Sequence, residues 1–334
     1  MRSVPARQSL LALAAALLAL GALAGCGNDD ERGRAGELRL ALDFMPNAVH
    51  AGVYTTKRLS LDRGRGVDLR IVSPSSSTDS LKLLAAGRAE VAIVDIHDLG
   101  LARERGDDLV GIGAVVQRPL AAVIAGEGSA VSRPRRLEGR RVGVTGLPSD
   151  DAVLRAVVEH DGGRYDRVKR TTIGFSAVPS LIAGKVDAAT AFWNAEGVAL
   201  RAEGKRTREF RVGDYGAPPY PELVLVVKRA TLDERRSELA DLLGALARGT
   251  ELALKDRAAA TAAITKASGA PAPLVRAQLD AVAPALRPPL RLDRAALEAW
   301  ARFDTRFGIL KRPPNVERAF EFDLAPDPGT DQAP

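Results

Sequence analysis

The sequence predicts an α/β fold built as two lobes, on three observations. Short apolar runs that suit buried strands alternate with helical patterns over most of the chain, the alternation expected of sheets flanked by helices. The alternation falls into two series, separated by a polar loop at residues 117–120. A last apolar run then follows Pro218-Pro219-Tyr220-Pro221, so the chain returns from the second series to the first. Two crossings, near residues 117–121 and 216–222, imply a cleft between the lobes.

In chain order, Arg2 and Arg7 precede an uncharged apolar run at residues 10–24, the arrangement of a secretion signal, so residues 1–25 are expected to be removed. That run is shorter than the roughly 20 residues a spanning helix needs. Leu23-Ala24-Gly25-Cys26 resembles a bacterial lipobox, which makes Cys26 the expected lipidation site and anchors the mature chain to the outer face of the cell membrane. Residues 26–37 read as a polar tether. The first lobe is expected over residues 38–120, with strands at 38–42, 67–72, 91–94 and 110–116. A helix follows Ser75-Ser76-Ser77-Thr78, whose hydroxyls suit an N-cap, and Gly87 closes it. The second lobe, residues 121–218, has strand patterns at 121–125, 142–145, 169–173 and 186–191 and helical ones at 150–159, 177–183 and 196–202. Residues 219–324 return to the first lobe with a strand at 223–227 and a helical remainder, in which Leu239, Leu242, Leu243 and Leu246 share one face. Residues 325–334 read as a disordered tail.

Composition narrows the function. Cys26 is the only cysteine, which leaves no intrachain disulfide and no multi-cysteine zinc site, so the fold rests on burial of a 46% hydrophobic chain. The net charge is +6, and Arg2 and Arg7 supply two of those charges. The remaining arginines are interspersed with acids and are not gathered with aromatics, which argues against nucleic acid as a partner. No Walker loop, dinucleotide-binding glycine pattern, His-Glu-x-x-His or Gly-x-Ser-x-Gly elbow occurs, and the three histidines are far apart, so neither a cofactor, a metal nor an enzyme is expected.

Two segments carry the chemistry of a small-molecule pocket. Asp43, Phe44, Asn47 and His50 stand together just past the first strand, where open α/β sheets place ligand-contacting residues. Phe44 could stack on a flat ring and Asn47 could supply a donor and an acceptor, although a turn fixed by Pro46 and Asn47 is an equal alternative. Trp193, Asn194 and Glu196 follow the strand at 186–191, pairing an indole that can stack with a carboxylate that accepts N–H donors. Asp95 and His97 past the strand at 91–94, Ser149 and Asp150 past Gly146, and Tyr215 and Tyr220 at the second crossing are further candidates. Ser149 also reads as a helix cap.

These segments resemble one family. Leu42-Asp43-Phe44-x-Pro46-Asn47-x-x-His50-x-Gly52-x-Tyr54 is similar to the opening motif of the thiamine-pyrimidine-synthase-like (SsuA-like) proteins, which usually have Trp where this chain has Phe44. Residues 84–90, 137–143 and 192–196 match further family segments in the same order, and the resemblance runs from about Leu38 to Phe322. It implies a type II periplasmic-binding-protein fold, each lobe a mixed sheet flanked by helices, closing on a ligand. It also implies a monomeric binding lipoprotein that serves an ABC permease and its ATPase, with a thiamine-pyrimidine precursor as ligand, or riboflavin or an alkylsulfonate. In this resemblance Phe44, Asn47, Trp193 and Glu196 take the ring-stacking and amino-reading roles. The family also has an enzyme branch that builds the pyrimidine from pyridoxal phosphate and its own histidine. His97 resembles that histidine, but the branch's cofactor lysine falls at Ile93 and its cysteine cluster has no counterpart, so the Schiff-base chemistry has no amine here.

Overall fold

The computed structural model describes residues 36–325 apart from 77 and 127. The expected signal segment, Cys26, the tether up to residue 35 and the tail from residue 326 lie outside the described residues. The chain begins with β1 (Gly36–Ala41), α1 (Ala51–Leu59), β2 (Val67–Val72), α2 (Asp79–Ala85), β3 (Val91–Asp95), α3 (Ile96–Glu104) and β4 (Leu109–Val116). It then crosses to β5 (Ala121–Gly126), β6 (Arg141–Val144), α4 (Pro148–His160), β7 (Lys169–Thr172), α5 (Ala177–Ile182), β8 (Ala188–Phe192), α6 (Glu196–Ala202) and β9 (Thr207–Arg211). After the return come β10 (Leu223–Lys228) and the helices α7 (Arg229–Glu234), α8 (Arg236–Lys255), α9 (Arg257–Ser268), α10 (Ala272–Val282), α11 (Arg294–Arg306) and α12 (Val316–Ala319).

The strands form two five-stranded mixed sheets, ordered β2-β1-β3-β10-β4 and β7-β6-β8-β5-β9. In the first, β1 and β3 are parallel and β10 runs antiparallel to both β3 and β4, pairing Leu223 with Asp95 and Leu225 with Ile93. In the second, β6 is parallel to β7 and β8 while β5 is antiparallel to β8 and β9. The central strands β3 and β10 read as unbroken apolar runs because helices cover both their faces. β10 is the element that ties the return segment into the first sheet.

One apolar core lies under α1, α8, α9 and α10 and includes Leu239, Leu242, Leu243 and Leu246, all buried. Each such side chain contributes about 1.5–3 kcal/mol by leaving water. Helices α1 and α8 touch almost backbone to backbone. A Cβ on Gly249 would stand 2.6 Å from the Gly52 carbonyl, and one on Gly52 would stand 2.0 Å from Thr250 Oγ1, so only glycine fits at either position. A second core is continuous between the lobes, running from Leu99 and Val94 beside the first sheet to Val153 and Val157 of α4 beside the second, with Tyr220 and Trp300 within it.

Three local expectations change. Strand β9 was not foreseen, because Thr-Arg-Glu-Phe-Arg is a half-exposed edge strand whose charges hide its alternation. Thr78 stands at the N-cap of α2 but makes no capping hydrogen bond; Asp79 instead gathers the Ser75 and Ser76 hydroxyls, and their amides, onto its own carboxylate, which holds that group far below the usual carboxylate range. Helix α4 starts at Pro148, which suits a first helical turn since it needs no N–H there.

Candidate functional site

The two sheets face each other across a cavity of about 300 Å3. From the first lobe it is lined by Asp43, Phe44 and Asn47 after β1, Ile93 and Val94 of β3, and Asp95 and Asp98 at the start of α3. From the second it is lined by Ser149 and Asp150 of α4, Phe175 before α5, Thr190 and Phe192 of β8, and Glu196 at the start of α6. The lobes meet around it. Phe44 packs edge-on against Phe175 with ring centroids 4.2 Å apart, and Ser149 donates its amide (3.3 Å) and hydroxyl (3.1 Å) to the Asp98 carboxylate of the opposite lobe. Gln278 Nε2 also donates to the Ala195 carbonyl at 3.2 Å.

The crossings pass beside the cavity and are knotted by Glu222. Its carboxylate accepts from the Leu120 amide of the first crossing at 2.7 Å, and its own amide donates to the Val116 carbonyl at 3.1 Å.

Of the residues expected at the site, Asp43, Phe44, Asn47, Asp95, Ser149 and Glu196 come together at the cavity. Asn47 reaches it with a side chain already committed: its Oδ1 accepts from the Val49 amide and its Nδ2 donates to the Met45 carbonyl. Ser149 bridges the lobes and caps nothing. His50 stands behind the lining, fully buried; its Nδ1 accepts from the Asn47 amide at 3.2 Å, so its Nε2 carries the hydrogen and donates it to Asp43 at 2.8 Å. It orients Asp43.

Trp193, Asn194, His97 and Tyr215 lie outside the lining. The Trp193 ring lies under the Arg211 guanidinium at 4.4 Å, and its Nε1 donates to the Pro119 carbonyl of the first crossing, so it braces the crossing. Asn194 is fully buried with neither side-chain polar atom hydrogen-bonded among the described residues. Tyr215 packs edge-on against His160 and Phe210. His97 is fully buried between Asp304, 2.6 Å from Nδ1, and the Tyr220 hydroxyl, 3.0 Å from Nε2, with Trp300 beside it.

Sequence reasoning left out Asp98 and Phe175. Asp98 is three residues past Asp95, which caps α3 by accepting from the His97 amide, so both carboxyls share the helix face turned to the cleft. That spacing was a usable signal. Phe175 lies in a loop, and nothing in its neighbourhood pairs it with Phe44.

The lining carries five carboxyl groups, on Asp43, Asp95, Asp98, Asp150 and Glu196. Its cationic side chains, Lys82 and Arg105, are both exposed. Burial raises Asp95 well above the usual carboxylate range against the pull of nearby His97, and raises Asp98 to about 6 against the hydrogen bonds from Ser149. Burial also raises Asp150, against bonds from Thr190 and Thr145, and Glu196, against the Phe192 amide that donates to its Oε2 at 2.9 Å. Carboxyls in this state are stabilised by an incoming cation or N–H donor. Apolar walls with a few converging polar groups suit a small flat molecule that brings donors at its edge.

The NMT1/THI5-like family matches the chain over residues 47–260. A formylaminopyrimidine-binding protein of Halalkalibacterium halodurans is 34% identical over 240 residues, covering 70% of this chain and 72% of that protein. A 4-amino-5-hydroxymethyl-2-methylpyrimidine phosphate synthase of Uromyces fabae is 21% identical over 232 residues, covering 66% of this chain and 67% of that protein. Among solved structures, the alkanesulfonate-binding protein SsuA from Xanthomonas axonopodis pv. citri, bound to MOPS, superposes with a TM-score of 0.71 at 19% identity, over 86% of this chain and 99% of the other. The shared architecture is the two-lobed periplasmic-binding-protein fold.

Proposed function

The chain belongs to the NMT1/THI5-like family, and on that premise we propose that it is an extracytoplasmic solute-binding protein for a thiamine-pyrimidine precursor, of the formylaminopyrimidine or hydroxymethylpyrimidine type. The observation that carries this reading is the cavity between the lobes, where Phe44, Phe175 and Phe192 offer ring faces and Glu196 with its neighbouring carboxyls offers acceptors for ring amino groups. The 34% identity to a formylaminopyrimidine-binding protein supports the same ligand class. In this reading the lobes close on the ligand by a hinge at the crossings joined by Glu222, and the closed protein delivers it to the permease and ATPase of an ABC importer.

The proposed role is binding and not synthesis. His97, at the position that resembles the synthase histidine, is fully buried outside the cavity lining with Asp304 and Tyr220 as its partners, and apolar Ile93 stands on the cavity wall where that branch has its lysine. Calorimetry with formylaminopyrimidine and hydroxymethylpyrimidine tests the ligand: saturable binding of either is expected, and no heat with both would contradict the reading.

Lipid anchoring on Cys26 is part of the proposal and rests on the residues before it. Cys26→Ser should move the protein from the membrane fraction to the soluble one; retention in the membrane would contradict the anchor.

A further inference from the structure

A ligand's charge meets the backbone first at helix starts, because the first-turn N–H groups have no partner within the helix and form ready anion sites. Helix α4 begins at the cavity, and the amides at its start can be followed one by one. Gly146 and Leu147 donate to Asp150 Oδ2 at 3.0 and 3.2 Å, Pro148 has no N–H, and Asp150 donates to the Leu147 carbonyl. The remaining amide, that of Ser149, donates across the cleft to Asp98, as does the Ser149 hydroxyl. Helix α3 is closed in the same way, its His97 amide taken by Asp95 and its Ile96 amide by the Glu222 carbonyl. At the starts of α3 and α4, the donors that could greet an anion are therefore occupied by this chain's own acceptors, and the cavity is lined by five carboxyl groups against two exposed cationic side chains, Lys82 and Arg105.

We infer that the cavity selects by charge: it takes an unphosphorylated, unsulfonated ring that brings N–H donors or a positive charge, and Asp98 is the specificity residue that turns anions away by filling the start of α4. A phosphate or sulfonate would have to displace Asp98 from Ser149 and lie against like-charged groups, a juxtaposition that disfavours binding. The choice of a pyrimidine ring rests on the function proposed above; the charge rule does not, since it follows from where the donors are already spent.

The test is calorimetry on the folded protein with 4-amino-5-hydroxymethyl-2-methylpyrimidine, its phosphate ester and MOPS, with putrescine as a cation that is not a pyrimidine. The alcohol is expected to bind, its phosphate roughly a hundredfold more weakly, and MOPS more weakly still. Asp98→Asn, which keeps the shape and removes the charge, is expected to narrow the gap between alcohol and phosphate by about tenfold or more. A wild-type protein that binds the phosphate or MOPS within about tenfold of the alcohol would overturn the inference without relying on any variant. Binding of putrescine with neither pyrimidine would end the pyrimidine reading while supporting the charge rule.

Discussion

Two groups of buried polar side chains meet at the end of β3 and have opposite states. On one side, His97 is held between Asp304 Oδ1 and the Tyr220 hydroxyl, with Asp304 Oδ2 unpaired among the described residues: burial alone would lower His97, but the Asp304 carboxylate overrides it and raises the imidazole to about 10. On the other, two residues back along the chain, Asp95 turns into the cavity with Asp98 and Glu196, and burial raises all three, against the pull of His97 on Asp95 and Asp98. A buried charge that has its partner holds a fold together. Buried carboxyls short of donors await a molecule that brings them. The sequence places Asp95 and His97 side by side, and only the turn of α3 separates their roles.

The sharpest way to break this contrast is to remove the counter-charge from the histidine group. Asp304→Ala leaves His97 buried without its counter-charge, and urea unfolding should show a loss of about 3–5 kcal/mol. The same pair predicts a pH dependence. His97 holds its proton to about pH 10 in the folded chain and to about 6.5 when unfolded, so its stabilisation is complete below about pH 6.5 and fades as pH rises towards 10. Asp304→Asn should flatten that part of the stability profile; an unchanged slope would place its origin elsewhere.

Next in size, Trp193→Ala should cost about 3 kcal/mol of stability by removing the brace under Arg211 and Pro119, with ligand affinity in the folded fraction nearly unchanged. A binding loss larger than the stability loss would return Trp193 to the site. Glu196→Gln should do the reverse, weakening an amino-bearing pyrimidine by about ten- to a hundredfold with little change in unfolding, since the carboxyl's burial is unfavourable to begin with. Phe44→Ala is the smallest of these, expected to weaken ring binding by about two- to tenfold through the lost aromatic face.

The strands were legible wherever two covered faces demand unbroken apolar runs, as in β3 and β10, and the crossings were legible from the proline-rich and polar breaks between the two series. The charged edge strand β9 was not, because an edge needs no apolar alternation. In the site, Phe44 and Glu196 could be read because each follows a strand end. Trp193, read from the same cue, lies outside the cavity lining: a position just past a strand says which end of the sheet a residue occupies and not which way its side chain turns, and it is Phe192 that lines the cavity. The Phe44 and Phe175 contact and the bridge from Asp98 to Ser149 depend on how the lobes meet, and no local pattern encodes that.

The central claim is that the carboxyls at the cavity, and not the buried histidine group, recognise the ligand. The most direct test is calorimetric titration of 4-amino-5-hydroxymethyl-2-methylpyrimidine into the wild type, Glu196→Gln and Asp304→Asn, each confirmed folded at the temperature used. Saturable binding that collapses in Glu196→Gln and persists in Asp304→Asn is the predicted result; binding that survives in Glu196→Gln and is lost in a folded Asp304→Asn would contradict it.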